Sequence, residues 1–233
     1  VYLRSDGYGE YKAIYGTIGV AIYHLMFTIT SKISNFISCR KYILREKNGK
    51  IVSPSRIDET WLSDNKKPRI DKLRLLYVGR IRVEKGIYSL LKILDKSKNK
   101  DIILSIVGAE KNEINKIIQK NVNVHKIEEN QKNLINYYDD HNIFILPSFT
   151  EGHPQVLLEA LARLRPIIIF EEINHVLNNY QGIFVAKRNF EDFFEKINYI
   201  KNNYDIIQEK MKKNKIPTQN YFLKSLGKII LEH

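Results

Sequence analysis

Asn142-Ile143-Phe144-Ile145-Leu146-Pro147-Ser148-Phe149-Thr150-Glu151-Gly152-His153-Pro154-Gln155-Val156-Leu157-Leu158-Glu159-Ala160 decides how this chain folds. The run Ile143–Leu146 is apolar without a break and ends at a proline, as a strand buried on both faces does. The end of the stretch reads as a helix. Pro154 suits its first position, where a missing N–H costs nothing. The loop and first turn aim backbone N–H groups and a partial positive charge at one point, which suits phosphate. Glu151 in the loop and Glu159 in the helix, seven residues apart in the count between them, would repel phosphate. They suit the hydroxyls of a sugar or a ribose.

The pattern repeats on either side. Leu73–Val78, Ile102–Val107, Val122–Val124, Ile167–Phe170 and Ile183–Val185 read as strands. Gly86–Lys96, Asn112–Lys120, Asn133–Tyr138 and Pro154–Arg163 read as helices between them. Strands alternating with helices predict a parallel sheet covered on both faces. Ligands of such sheets bind beyond the carboxyl ends of the strands. Three unusual segments fall there: Gly79-Arg80-Ile81-Arg82-Val83-Glu84-Lys85-Gly86, Gly108-Ala109-Glu110, and Ser148–Gly152.

Before this region lie a strand end at Val1–Ser5, a long helix over Glu10–Thr30, short strands at Asn35–Cys39 and Ile51–Ser53, and a basic helix around Arg40–Lys47. Ala13–Thr30 has about the length of a short membrane span, but Tyr15, Thr17, His24 and Thr28 scatter polarity along it. The expectation is a buried or interface helix. The polar stretch Asp64-Asn65-Lys66-Lys67-Pro68-Arg69 marks a domain boundary. From Asn189 onward the chain reads as helices only.

The 233 residues suffice for one large or two modest domains, and 43% apolar content places them in the ordinary globular class. The net charge of +12 favours phosphate-bearing partners. Cys39 is the one cysteine, so no disulfide forms within the chain, which fits a reducing compartment. No Asp-x-Asp pair stands at a strand end, and His125, His141 and His175 have no metal-ligand spacing among themselves, so no metal is expected. No aromatic-rich basic motif supports a nucleic-acid partner. Leu231-Glu232-His233 looks like the start of an expression tag, and the chain like a fragment of a longer protein.

Leu76-Tyr77-Val78-Gly79-Arg80, Glu84-Lys85-Gly86, Ile106-Val107-Gly108, Leu146-Pro147-Ser148 and Glu151…Glu159 follow one another in that order. Together they resemble the donor-binding domain of retaining GT-B-fold glycosyltransferases of the family 4 type (glycosyl transferases group 1). The resemblance implies an α/β fold, a Rossmann-like parallel sheet with helices on both faces, plus the tail of a truncated N-terminal α/β domain. It divides the chain into that acceptor-side tail over 1–60, the donor domain over 70–215, a C-terminal helix over 216–231 and a tag remnant at 232–233.

The resemblance also assigns roles. Arg80 and Lys85 would hold the diphosphate of a nucleotide-sugar, Arg through its planar fork and Lys as a point charge. Glu151 would grip the transferred sugar and Glu159 the ribose. Gly79 and the backbone of Gly152, His153, Pro154, Gln155 and Val156 would complete the donor site, with the base near Ile127. His153-Pro154 stands where many relatives have Phe-Gly, which reads as subfamily character. Asp6 stands near where many relatives carry a His beside the sugar; it takes a hydrogen-bonding role or only makes a turn.

The implied activity is transfer of a hexose or N-acetylhexosamine, with retention and without metal or cofactor, from a nucleotide-diphosphate sugar. A UDP-sugar is favoured over a GDP-sugar. The acceptor would be a glycan or lipid-linked glycan, with peripheral membrane association at the cytoplasmic face. The fragment would bind donor with little transfer. Rival readings are a nucleotide-sugar epimerase, a non-catalytic nucleotide-sugar-binding subunit, and a nucleic-acid binder suggested by charge alone.

Overall fold

The computed structural model of the chain describes residues 1–68, 72–97, 101–114, 117 and 119–231. They form two compact units, one of Val1–Arg56 with the stretch from Pro217 on, the other of Ile57–Ile216.

The smaller unit opens with β1 (Tyr2–Leu3), α1 (Gly7–Ile33), β2 (Phe36–Ser38) and β3 (Gly49–Ile51), the strands forming a parallel sheet in the order β1-β2-β3. A 3-10 turn over Lys41–Leu44 replaces the helix expected around Arg40–Lys47. α1 is broken at Gly16, whose φ of 63° and ψ of −145° no helix contains. Its core is small: Phe27, Phe36 and Leu44 are buried, with Leu3, Tyr8 and Tyr23 packed against them. A three-stranded sheet covers only one stripe of a 27-residue helix. Ile14, Ile18, Ile22, Leu25, Met26, Ile29 and Ile33 therefore stand exposed, so of the two expectations for this helix, buried or interface, the buried one is corrected.

The larger unit holds α2 (Glu59–Leu62), β4 (Leu73–Val78), α3 (Ile87–Asp95), β5 (Ile102–Ala109), β6 (Val122–Lys126), α4 (Gln131–Asp140), β7 (Ile143–Leu146), α5 (Gln155–Ala162), β8 (Ile167–Phe170), β9 (Ile183–Ala186), α6 (Phe190–Asn202) and α7 (Tyr204–Met211). α8 (Gln219–Leu231) groups with the smaller unit, where Phe222 and Tyr2 lie 6.4 Å apart between ring centroids.

All six strands of the larger sheet are parallel, in the order β6-β5-β4-β7-β8-β9. The chain builds outward from β4 through β5 to β6, then returns to β4's other side and builds outward again. β7 and β8 are buried at every residue, as strands covered on both faces must be. Most of the expected strands and helices fall within a few residues of those observed; the helix expected over 112–120 lies partly outside the described residues.

The units divide at Arg56/Ile57, before the polar stretch 64–69. A buried guanidinium explains why. Arg163 donates to the carbonyls of Trp61, Ser63 and Asp64 at 3.0, 2.6 and 2.9 Å, binding that segment to the end of α5.

Candidate functional site

The order of the larger sheet reverses between β4 and β7, and a crevice at such a switch point is where ligands of open α/β sheets bind. Two loops meet there: the one after β4, Gly79–Gly86, and the one after β7, Pro147–Pro154. The backbone amide of Phe149 donates to the carbonyl of Glu84 at 2.9 Å, fastening one loop to the other. Gly86 allows the closest approach. A methyl group there would lie 1.9 Å from the carbonyl oxygen of Pro147. Gly108, near the end of β5, has a φ of 121°, and a methyl group there would lie 2.5 Å from the carbonyl oxygen of Gly79. Tyr77 is buried in β4, and its hydroxyl donates to the Arg80 carbonyl at 2.7 Å. Burial, and next the charge of Glu151, push that phenol well up, so it remains a donor.

Two polar side chains converge on one carboxylate oxygen. Lys85 Nζ lies 2.7 Å from Glu151 Oε1, and the buried Ser148 hydroxyl donates to the same oxygen at 2.6 Å. Glu151 is further fixed through its backbone, whose carbonyl lies 2.7 Å from His175 Nε2. The result is a carboxylate held in place among cationic and hydroxyl groups, at the mouth of a helix N-terminus. Pro154 stands at the N-cap of α5, one position before the expected one, with φ −70° and ψ 114°.

Glu159 follows in α5, and here the environment changes. It is only 7% exposed, and the Tyr138 hydroxyl donates to its Oε2 at 2.8 Å. The remaining residues named from sequence take separate places. Arg80 is exposed at the end of β4, and Ile127 is exposed just beyond β6. Gly79, Gly152, His153, Gln155 and Val156 line the two loops and the first turn of α5. Asp6 belongs to the smaller unit, at the N-cap of α1, with its Oδ1 3.6 Å from Arg45 Nη2.

Sequence reasoning missed Arg188, just after β9. Its guanidinium donates to the Pro147 carbonyl at 2.9 Å, the Ser89 hydroxyl at 2.7 Å and the Ser148 carbonyl at 3.3 Å. It forks onto Glu172 at 2.7 and 3.1 Å, and its Cζ lies 4.0 Å and 4.3 Å from the centroids of Phe149 and Phe170. One planar cation therefore holds the β7 loop against α3 and β8, a geometry Lys could not reproduce. Its position at a strand's carboxyl end was the available signal. Tyr138 was missed too, inside a segment read only for its secondary structure, and Ser148, though within a recognised motif, was given no role of its own.

The family model for glycosyl transferases group 1 matches residues 39–217. The chain is 27% identical over 222 residues to an uncharacterized glycosyltransferase of Haemophilus influenzae, covering 87% of this chain and 61% of that protein. It is 32% identical over 133 residues to the capsular polysaccharide biosynthesis glycosyltransferase CapM of Staphylococcus aureus, covering 52% of this chain and 34% of that one. It thus spans less than two thirds of the length of either curated relative. Among solved structures, a sucrose-phosphate synthase from Thermosynechococcus elongatus superposes with a TM-score of 0.71 at 14% identity, over 99% of this chain and 67% of the other. That likeness establishes the fold.

Proposed function

We propose, from the premise that this chain belongs to the glycosyl transferases group 1, that its larger unit binds a nucleotide-diphosphate sugar for glycosyl transfer. One observation carries the reading. Lys85, Ser148 and Glu151 converge at the sheet's switch point, with Glu159 further along the same helix. A cation, a fixed carboxylate and a helix N-terminus in one crevice match a ligand that is anionic at its centre and hydroxylated at both ends.

Arg80 and Lys85 would take the diphosphate, and Glu159 the ribose. Glu151 would take hydroxyls of the transferred hexose or N-acetylhexosamine, and Ile127 would lie beside the base. Gly79 and the backbone from Gly152 to Val156 complete the donor site within the larger unit. A UDP-sugar is favoured over a GDP-sugar. The reaction proceeds with retention through an ion-pair-like step. The bond from the anomeric carbon to the phosphate oxygen breaks, the acceptor oxygen bonds the same face of that carbon, and its proton passes to the leaving phosphate. Such chemistry needs positioning and stabilisation of negative charge, which Arg80, Lys85 and the helix N-terminus supply without a metal.

The acceptor is a glycan or lipid-linked glycan of surface polysaccharide assembly, as the name of the capsular relative suggests. The basic charge suits work at the anionic cytoplasmic face of a membrane.

A melting-temperature panel with UDP, GDP, ADP, CMP and dTDP tests the donor site. A ligand bound only by the folded state raises the melting temperature. Arg80→Ala should weaken the preferred diphosphate by about 1.5–3 kcal/mol, the range of a hydrogen bond to a charged group. An unchanged affinity would remove Arg80 from the site.

A further inference from the structure

We propose that Tyr138 is a positioning residue for Glu159, and that its hydroxyl sets the preference of the site for ribonucleotides over deoxyribonucleotides. The inference rests on the ribose role proposed for Glu159.

A carboxylate at the end of a glutamate rotates broadly about its last torsion. To accept from ribose hydroxyls in a defined geometry, its plane must be fixed from behind. Tyr138 provides that constraint from a different helix. It projects from α4, is fully buried, and donates to Glu159 Oε2 at 2.8 Å. Its hydroxyl also lies 3.4 Å from the carbonyl of Val156, in the first turn of α5. The ring itself has little room to move. Trp61 of α2 packs edge-on at 5.6 Å and 74°, and Phe144 of β7 lies 5.6 Å away at 36°. Burial first, and then the Glu159 charge, hold the phenol well above its ordinary range, so it donates throughout the physiological pH range. A bond from a neutral donor to a buried carboxylate is charge-assisted, shorter and stronger than a neutral pair. Losing it would leave Glu159 buried with one donor fewer and its plane less defined.

Tyr138→Phe isolates this bond, because it keeps the ring and its contacts with Trp61 and Phe144. The experiment is calorimetric titration of the whole chain, as wild type, Tyr138→Phe and Glu159→Gln. The probes are two matched pairs, UDP with 2′-deoxyUDP and GDP with 2′-deoxyGDP. The readout is the affinity ratio of ribo- to deoxyribonucleotide, which a general loss of stability would not move. The expected result is a ratio lowered by about fivefold or more in Tyr138→Phe, in line with a lost hydrogen bond to a charged group, and lowered at least as far in Glu159→Gln. A ratio that falls in Glu159→Gln but stays at the wild-type value in Tyr138→Phe would overturn the positioning role alone. Equal weakening of both members of a pair by Tyr138→Phe would also overturn it. A wild-type ratio in Glu159→Gln, or a wild type that binds neither pair, would overturn the ribose reading and the inference with it.

Discussion

Gly86→Ala should be among the most damaging single-methyl additions in the larger unit. Gly86 ends the 3-10 turn that carries Lys85 and opens α3, with a φ of 69° and ψ of 10°. Two costs can be separated. Holding Ala in the left-handed region costs about 1–2 kcal/mol. The methyl group would also lie 1.9 Å from the Pro147 carbonyl oxygen, where real contacts begin near 3.0 Å. Backbone must therefore retreat by 1.1 Å, the difference of those two distances. Overpacking of that kind adds about 1–3 kcal/mol. The retreating atom belongs to the loop that Arg188 pins and that carries Glu151, so relief by local movement is poor. The sum, about 2–5 kcal/mol, should lower the melting temperature by roughly 5–15 °C for a unit of this size. Calorimetry on wild type and variant measures it directly. A fall of only a degree or two would refute the reasoning, because it would mean the β4 and β7 loops can separate at little cost.

Two further outcomes follow from the buried and half-buried ion pairs. Asp139 accepts from Arg163 at 2.9 and 2.7 Å and from Arg165 at 3.3 Å, with all three side chains buried. Asp139→Asn leaves two guanidinium groups without their carboxylate, and urea unfolding should show a loss of about 3–5 kcal/mol; a loss under 1 kcal/mol would show the backbone carbonyls alone suffice. Glu172 is held below the usual carboxylate range chiefly by its hydrogen bond from Arg188. A depressed folded-state value means the stabilisation is present above the unfolded value of 4.5 and is lost as pH falls through the folded one. Melting temperatures from pH 6 to pH 3 should therefore fall less steeply in Glu172→Gln than in wild type, and parallel curves would contradict the assignment.

The fold was legible because parallel strands buried on both faces leave unmistakable apolar runs. Leu73–Val78, Ile143–Leu146 and Ile167–Phe170 match the observed strands residue for residue. Their order in the sheet came only from the structure. For α1 the sequence left burial and interface open, because composition does not say which apolar residues meet a partner. Its exposed isoleucines read like core residues, yet only one narrow stripe touches the small sheet. At the site, the Lys85 and Glu151 motifs were visible, but their contact was not, since 66 residues separate them. Tyr138 was hidden for a simpler reason. Tyr137 and Tyr138 are adjacent in a helix, and only the structure shows that the second points at α5 while the first packs on His125. Arg188 lay beyond every recognised motif, and its role exists only where three loops meet.

The same contacts bear on how the site would change when it fills. Lys85 Nζ and the Ser148 hydroxyl both serve a single oxygen of Glu151. Under the proposed function, a diphosphate is a second claimant for Lys85, bearing more negative charge than one carboxylate. As the ammonium turns toward phosphate, Glu151 keeps Ser148 and gains acceptor capacity that sugar hydroxyls can use. The helix N-terminus supplies the compensating positive potential at the same point. Phosphate capture would thus prepare the sugar grip, and no loop need move for it. The anchors argue for that order. Phe149 tied to Glu84, and Arg188 stacked between two rings, leave the β7 loop little freedom while the Lys85 side chain, a quarter exposed, keeps its own. Adaptation then falls to one flexible side chain on a fixed frame, which is how a site spends least on reorganisation.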